Sequence, residues 1–276
     1  MAVRFWLPDT SQPYTLEMPG SGHFCQIHQK ECSLVDAVIR YLVSGVAAGE
    51  NLVLVTRANR RKLILDWLAA KGIDVTELIQ NRRLFLYTGA DVLSGIVTDG
   101  EVDPGRFNEV APHIVDEASW SGRRRLRLYG DAVGDLWQAG NHAAAVELEA
   151  CWNQLCGTFG LEFSLFCGYL IDALDPRSYS DHLAALARAH ALMIPAPDDH
   201  ALRCVLDEAV RDVFGRPLME LAGRCSVAYS TDWRSRLPLV FRIGFWLYEQ
   251  HPTAAARVLN KAQEISLRDA RVLTHA

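Results

Sequence analysis

Five short apolar runs, each followed by a stretch of helical periodicity, constrain this chain more than any other feature. They are His23 to His28, Asn51 to Thr56, Arg83 to Tyr87, Arg125 to Tyr129 and Glu162 to Tyr169. Strands that alternate with helices in this way predict an α/β fold: a mainly parallel, five-stranded sheet covered by crossover helices. Ser33 is placed to cap the first helix, whose apolar positions Leu34, Val38, Tyr41, Leu42 and Val46 recur at helical spacing until Gly49. Asn59 and Gly72 bracket the second helix. The third connection, Ala90 to Trp120, is broken around Asp99-Gly100 and Asp103-Pro104-Gly105 and so predicts two helices, or a turn and a helix. The fourth helix, Asn141 to about Leu155, turns Ala145, Leu148, Trp152 and Leu155 towards the sheet.

The rest of the chain reads differently. Residues 1–20 carry three prolines and no periodicity, an irregular arm. The sheet-forming domain is expected over residues 21–175, a helical linker over 176–200, and a small helical C-terminal module over 201–276. Half of the 276 residues are apolar, enough for a substantial core, and no window nears the roughly 20 apolar residues that span a bilayer. With no secretory layout at the start and seven scattered cysteines that suit reduced thiols, the cytoplasm is the expected location. A net charge of -5 argues against a nucleic-acid surface, and Arg123-Arg124-Arg125 reads as a solvated strand edge.

In an open parallel sheet, ligands sit beyond the carboxyl ends of the strands. A nucleotide hydrolase would carry a glycine-rich phosphate loop after its first strand, and this chain has His28-Gln-Lys-Glu-Cys-Ser33 there, without glycine and with an acid that repels phosphate. His23, Cys25, His28 and Cys32 are all zinc-ligand types. Strand alternation, however, puts His23 and Cys25 on one face and His28 on the other, so no metal site and no cofactor are expected from this group. No nucleophile elbow, C-x-x-C pair or H-E-x-x-H helix is present, and an enzyme is unsupported.

Three successive stretches resemble a known family. They are His23-Phe-Cys-Gln26-Ile27-His28 with Gly45 and Gly49 behind it, then Tyr87-x-Gly-Ala90-Asp91-x-Leu93 with Asp103-Pro-x-Arg106-Phe107, then Gly130-Asp131-Ala-Val-x-x-Leu136-Trp137-x-x-Gly140-Asn141. The last continues through Leu148-Glu149-x-x-Trp152-Asn153 to Ser164-Leu-Phe-Cys167-x-Tyr169, and His190-x-x-x-Ile194-Pro195 follows. In order and spacing these are similar to the MEDS family, the sensory domain named for methanogens, methylotrophs and the DcmR regulator. The resemblance implies a RecA/KaiC-like core without a phosphate loop, and sensing of small organic compounds for transcriptional or kinase signalling. His28, Ile27 and Asp131 depart from the family's usual Tyr, Phe and Glu.

The resemblance and the strand-end rule together give His23, Gln26, His28, Tyr87, Asp131, Glu149, Cys167 and Tyr169 as the ligand-facing candidates. Several have a plainer reading: His23 as a core histidine, Asp131 as a helix cap. Trp137 and Trp152 read as core anchors, whereas Glu149 sits beside an apolar stripe and needs an Arg or His partner. Tyr87, Cys167 and Tyr169 are expected to line an apolar pocket with a polar rim. The expected role is a non-catalytic sensor that binds a small organic ligand and signals through a kinase, a transcription regulator or a second copy of itself, since no output domain is recognisable. A degenerate nucleotide-binding protein using the Gly130 to Asp131 amides, and a pure interaction module working through its helical tail, are the alternatives.

Overall fold

The computed structural model describes residues 21–120, 124–159, 163–190 and 192–274; the predicted arm at 1–20 and Arg123 lie outside the described residues. The sheet strands are β1 (Gly22–His28), β2 (Asn51–Thr56), β3 (Leu84–Thr88), β6 (Leu126–Gly130), β7 (Phe163–Leu170) and β8 (Leu192–Ile194). All pair in parallel, in the order β3-β2-β6-β7-β1-β8. The five predicted strands are therefore joined by a sixth. β8 arises in the stretch read as a linker, where Leu192-Met-Ile pairs with Phe24–Gln26 along the sheet edge. Three residues ahead of Pro195 are too short to show a strand period, which is why the sequence hides it.

On one face lie α1 (Glu31–Ala47), α2 (Ala58–Ala70) and α3 (Val75–Gln80). Their Leu34, Val38, Leu42, Ile64 and Leu68 close over Phe24, Leu52, Leu54 and Phe166. The other face carries α4 (Gly89–Ile96), α5 (Pro104–Ser119), α6 (Ala132–Gln138) and α7 (His142–Phe159). Between α4 and α5 the Asp99-Gly100 turn, both residues at positive φ, closes a two-residue hairpin, β4 (Val97–Thr98) and β5 (Glu101–Val102). Asp103 caps α5 by accepting from the Gly105 and Arg106 amides, with Pro104 at the first helical position. Trp137 and Trp152 are buried in this layer, as their spacing predicts.

Three caps differ from the sequence reading: α2 starts at Ala58 with Arg57 ahead of it, so Asn59 lies inside its first turn rather than bracketing it. α1 starts at Glu31, so Ser33 lies inside the first turn and its hydroxyl meets His28 Nδ1 at 2.9 Å. Asp131 makes no cap bond to α6, because its carboxylate is drawn instead to a buried arginine. Beyond β7 the chain runs through a 3-10 turn and α8 (Asp181–Ala189) to β8. It continues into α9 (Asp199–Phe214), α10 (Leu218–Ala228), α11 (Leu239–Gln250) and α12 (Pro252–Thr274). These last helices share one apolar cluster with α4–α8. Tyr179 is one bridge: its ring packs on Phe241, Phe245 and Tyr248, and its hydroxyl donates to the Ala173 carbonyl at 2.6 Å.

Candidate functional site

The strand order fixes where a crevice must open. From β2 the chain crosses to β3 on one side, and from the adjacent β6 it crosses to β7 on the other. Connections that diverge from neighbouring strands leave a gap beyond the carboxyl ends, the usual ligand position in open α/β sheets. Thr56 ends β2 and Asp131 follows β6, so both stand at this switch point. The Thr56 hydroxyl donates to Asp131 Oδ2, and Arg60 Nη1 donates to the same oxygen. Arg60 reaches there from the first turn of α2, and its Nε and Nη2 also grip the Glu31 carboxylate at 2.6 and 2.7 Å.

Arg60 and Asp131 are almost wholly enclosed, at 2% and 1% side-chain exposure. A charge so far from water persists only with a partner, and here the arginine has two. Burial pushes the Asp131 carboxyl up to about 6 against the pull of Arg60 and Thr56. Three buried polar atoms around Arg60 nevertheless have no hydrogen-bond partner: Asp131 Oδ1, the Tyr129 hydroxyl and His28 Nε2. Burial, with the positive field of Arg40 and Arg60, holds the His28 imidazole down at about 3. Burial, chiefly, lifts the Tyr129 phenol well above its ordinary range. Below Asp131, on the α4–α7 face, lies a narrow crevice lined by Val55, Val92, Ile96, Gly130, Val133 and Trp152. The crevice is lined by apolar side chains and backbone alone, and the polar atoms around Arg60 are not part of its lining.

A second polar group is buried on the opposite side of the sheet from His28. His23 on β1 and Cys167 on β7 point towards α7, as strand alternation requires, and α7 supplies Glu149. His23 Nε2 lies 3.0 Å from Glu149 Oε2 and 3.3 Å from Cys167 Sγ, and His190 Nε2 lies 3.4 Å from Glu149 Oε2. Tyr169 donates its hydroxyl to Glu149 Oε1. Burial alone would raise the Glu149 carboxyl, but the flanking His190 and His23 outweigh it and hold it well below the carboxylate range. Burial and then Glu149 push the Cys167 thiol well above its ordinary value.

The eight predicted site residues therefore divide. His23, Glu149, Cys167 and Tyr169 come together under α7, and the partner that Glu149 requires is a pair of histidines. His28 and Asp131 sit at the strand ends around Arg60. Gln26 is spent on the fold, its Nε2 donating at 2.8 Å to the Pro195 carbonyl just after β8. Tyr87 stands apart, on β3 with its hydroxyl 3.4 Å from Glu117, so it lines no pocket with Cys167 and Tyr169 three strands away. Sequence reasoning passed over Arg60 and Tyr129, noted Thr56 only as the start of a strand-end segment, and weighed Glu31 only as an acid that repels phosphate. It passed over His190 too, although that residue opens a stretch already noted for its resemblance.

Among the described residues, no helix is long and apolar enough to cross a membrane. Comparison with curated proteins gave no match. The family model for the methanogen/methylotroph, DcmR sensory domain covers residues 22–191, from the first residue of β1 to the residue ahead of β8. That stretch holds both polar groups. With well over half of its length matched, the chain belongs to the MEDS family of sensory domains.

Proposed function

We propose that this is a non-catalytic, cytoplasmic signal sensor that takes a small organic ligand at the β2/β6 switch point. It passes the state of that site to a kinase, a transcription regulator or a second copy of itself through protein contacts. The observation that carries this reading is the meeting, at one switch point, of an apolar crevice flanked by Gly130 and Ala132 with unpartnered buried polar atoms around the Asp131–Arg60 pair between them. Such atoms are costly to leave unpaired, and a bound hydroxyl, carbonyl or halide would relieve them. The crevice is narrow, which suits a molecule of a few heavy atoms. The core is read as RecA/KaiC-like on its all-parallel sheet. In the turn where a phosphate loop would stand, Glu31 is instead bound to Arg60, which favours an uncharged or weakly polar ligand over a nucleotide.

Thermal-shift measurements against small alcohols, carboxylic acids, halogenated hydrocarbons and nucleotides test this. One organic class is expected to stabilise the protein, by about 2.7 kcal/mol at a hundredfold excess over Kd. Val92→Phe, which fills the half-buried mouth of the crevice, is expected to abolish that response while leaving the unliganded melting point close to wild type. Stabilisation by ATP with turnover, or an organic response that Val92→Phe leaves intact, would overturn the reading.

A further inference from the structure

The group under α7 has the makings of a metal centre. His23, Glu149, Cys167 and His190 each present one ligand atom, and the four atoms lie within 4.8 Å of one another. Four of the six separations are 3.0, 3.3, 3.4 and 3.6 Å. Tetrahedral zinc bound at about 2.0–2.3 Å sets its ligand atoms roughly 3.3–3.7 Å apart, so the residues already stand near the edges of such a tetrahedron.

The outer contacts point the same way. His23 Nδ1 meets Asn153 Oδ1 at 2.9 Å, and Asn153 is oriented by its Nδ2 donating to the Ala189 carbonyl at 2.7 Å. That oxygen can only accept, so His23 carries its proton on Nδ1. His190 Nδ1 is likewise 3.0 Å from the Leu186 carbonyl. Nδ1 of each imidazole is thereby spent on an accepting oxygen, so that a cation displacing any proton on Nε2 meets a lone pair facing the cluster, the arrangement found behind metal-binding histidines. Tyr169 restrains the remaining oxygen of Glu149. His190 is fully buried, and its Nε2 has only the long, 3.4 Å contact with Glu149 Oε2 and no well-formed hydrogen bond. An ion pair alone would not require a thiol and two imidazoles to converge on a single carboxylate oxygen.

We propose that His23 Nε2, Glu149 Oε2, Cys167 Sγ and His190 Nε2 form a closed, tetrahedral site for one zinc-class divalent cation. Two neutral imidazoles, a carboxylate and a thiolate balance the charge of the ion, and the thiol proton leaves for solvent as the sulfur coordinates. Imidazole and thiolate ligands favour zinc or cobalt over magnesium or calcium. The site lies on the other face of the sheet from the Arg60 group, beside the α7 residues that line the crevice, and its four ligand atoms stand together on residues that are not part of the crevice's lining. It does reach the C-terminal helices, because the His190 carbonyl accepts from Arg236 at 3.1 Å. A bound ion therefore fastens the α8–β8 segment, and with it the entry to those helices, to the sheet.

Cobalt substitution tests this in the full chain, with the exposed Cys32 and Cys204 replaced by serine to remove adventitious thiols. One equivalent of Co2+ should give the strong visible bands of tetrahedral cobalt and a near-ultraviolet thiolate charge-transfer band, both erased by an equivalent of Zn2+. Cys167→Ser should remove the charge-transfer band. Asn153→Ala, which leaves every ligand in place, should weaken zinc binding by about 10–100-fold in chelator competition. Far-ultraviolet circular dichroism shows whether each variant is folded. A folded parent that takes up no Co2+, octahedral spectra only, or a charge-transfer band that survives Cys167→Ser would overturn the proposal.

Discussion

Replacing Arg60 by methionine keeps most of the volume of the side chain and removes its charge. Asp131 is then left enclosed with only the Thr56 hydroxyl on its bonded oxygen, and Oδ1 still has none. Breaking a buried pair from one side costs about 3–5 kcal/mol, because the remaining charge has neither water nor a counter-ion. Asp131→Asn is milder. Arg60 keeps both of its bonds to Glu31, and the asparagine oxygen still accepts from Thr56, so the loss is about 1–3 kcal/mol. The double variant buries no charge at this position and should be more stable than Arg60→Met alone, a coupling of at least about 1 kcal/mol for residues in direct contact. In urea, with a slope near 3 kcal/mol per molar, Arg60→Met lowers the unfolding midpoint by roughly 1–1.7 M and the double variant recovers part of it. Urea titration followed by circular dichroism measures all four proteins. If Arg60→Met unfolds within roughly 0.3 M of wild type, or the two substitutions are simply additive, the buried pair does not organise the switch point as argued here.

Two further outcomes follow from groups that the fold encloses. Because the imidazole of His28 is held down at about 3, the folded protein keeps it neutral while the unfolded chain takes up a proton below about 6.5. Its contribution is complete above that pH and is lost as the pH falls towards 3, at up to about 1.4 kcal/mol per pH unit. The stability gap between wild type and His28→Asn should accordingly shrink in urea titrations run from neutral pH to about pH 4.5, and a gap that stays constant refutes the assignment. On α11, a Cβ at Gly244 would fall 2.1–2.3 Å from the ring edge and hydroxyl oxygen of Tyr179, whose hydroxyl is tied to Ala173. Gly244→Ala should cost about 1–3 kcal/mol and speed hydrogen exchange around residues 171–179, whereas Gly223→Ala, in open space on α10, should be neutral or stabilising.

Most of the sheet was legible in the sequence because fully buried parallel strands read as unbroken apolar runs: Asn51 to Thr56 falls on β2 with both ends right. Helix-facing positions followed from their period. Where an arginine turns inward did not, because Asn59-Arg60-Arg61-Lys62 offers three basic residues in a row. Only the rotation of α2 on the sheet makes Arg60 the buried one. Ser33 and Asp131 looked like helix caps by type and position, yet each found a stronger tertiary partner, His28 in one case and Arg60 in the other. The zinc question was put to His23, Cys25, His28 and Cys32 because they are close in sequence. Alternation along β1 rightly separates them, and the residues that do converge on His23 come from α7, β7 and the end of α8.

The crevice and the His23 group lie on the same face of the sheet, so a sensor built this way can couple them through one element that touches both. α7 is that element. Leu148 and Trp152 line the crevice, and Glu149 and Asn153, each the next residue along, hold the two sides of the His23 group. Neighbours on a helix project about 100° apart, so a small rotation that accommodates a ligand against Trp152 necessarily swings Glu149 relative to His190. The His190 carbonyl in turn accepts from Arg236, in the 3-10 turn between α10 and α11. For the proposed sensor, then, the route from crevice to C-terminal helices runs through one helix and one histidine, and both lie inside the stretch that the family match covers.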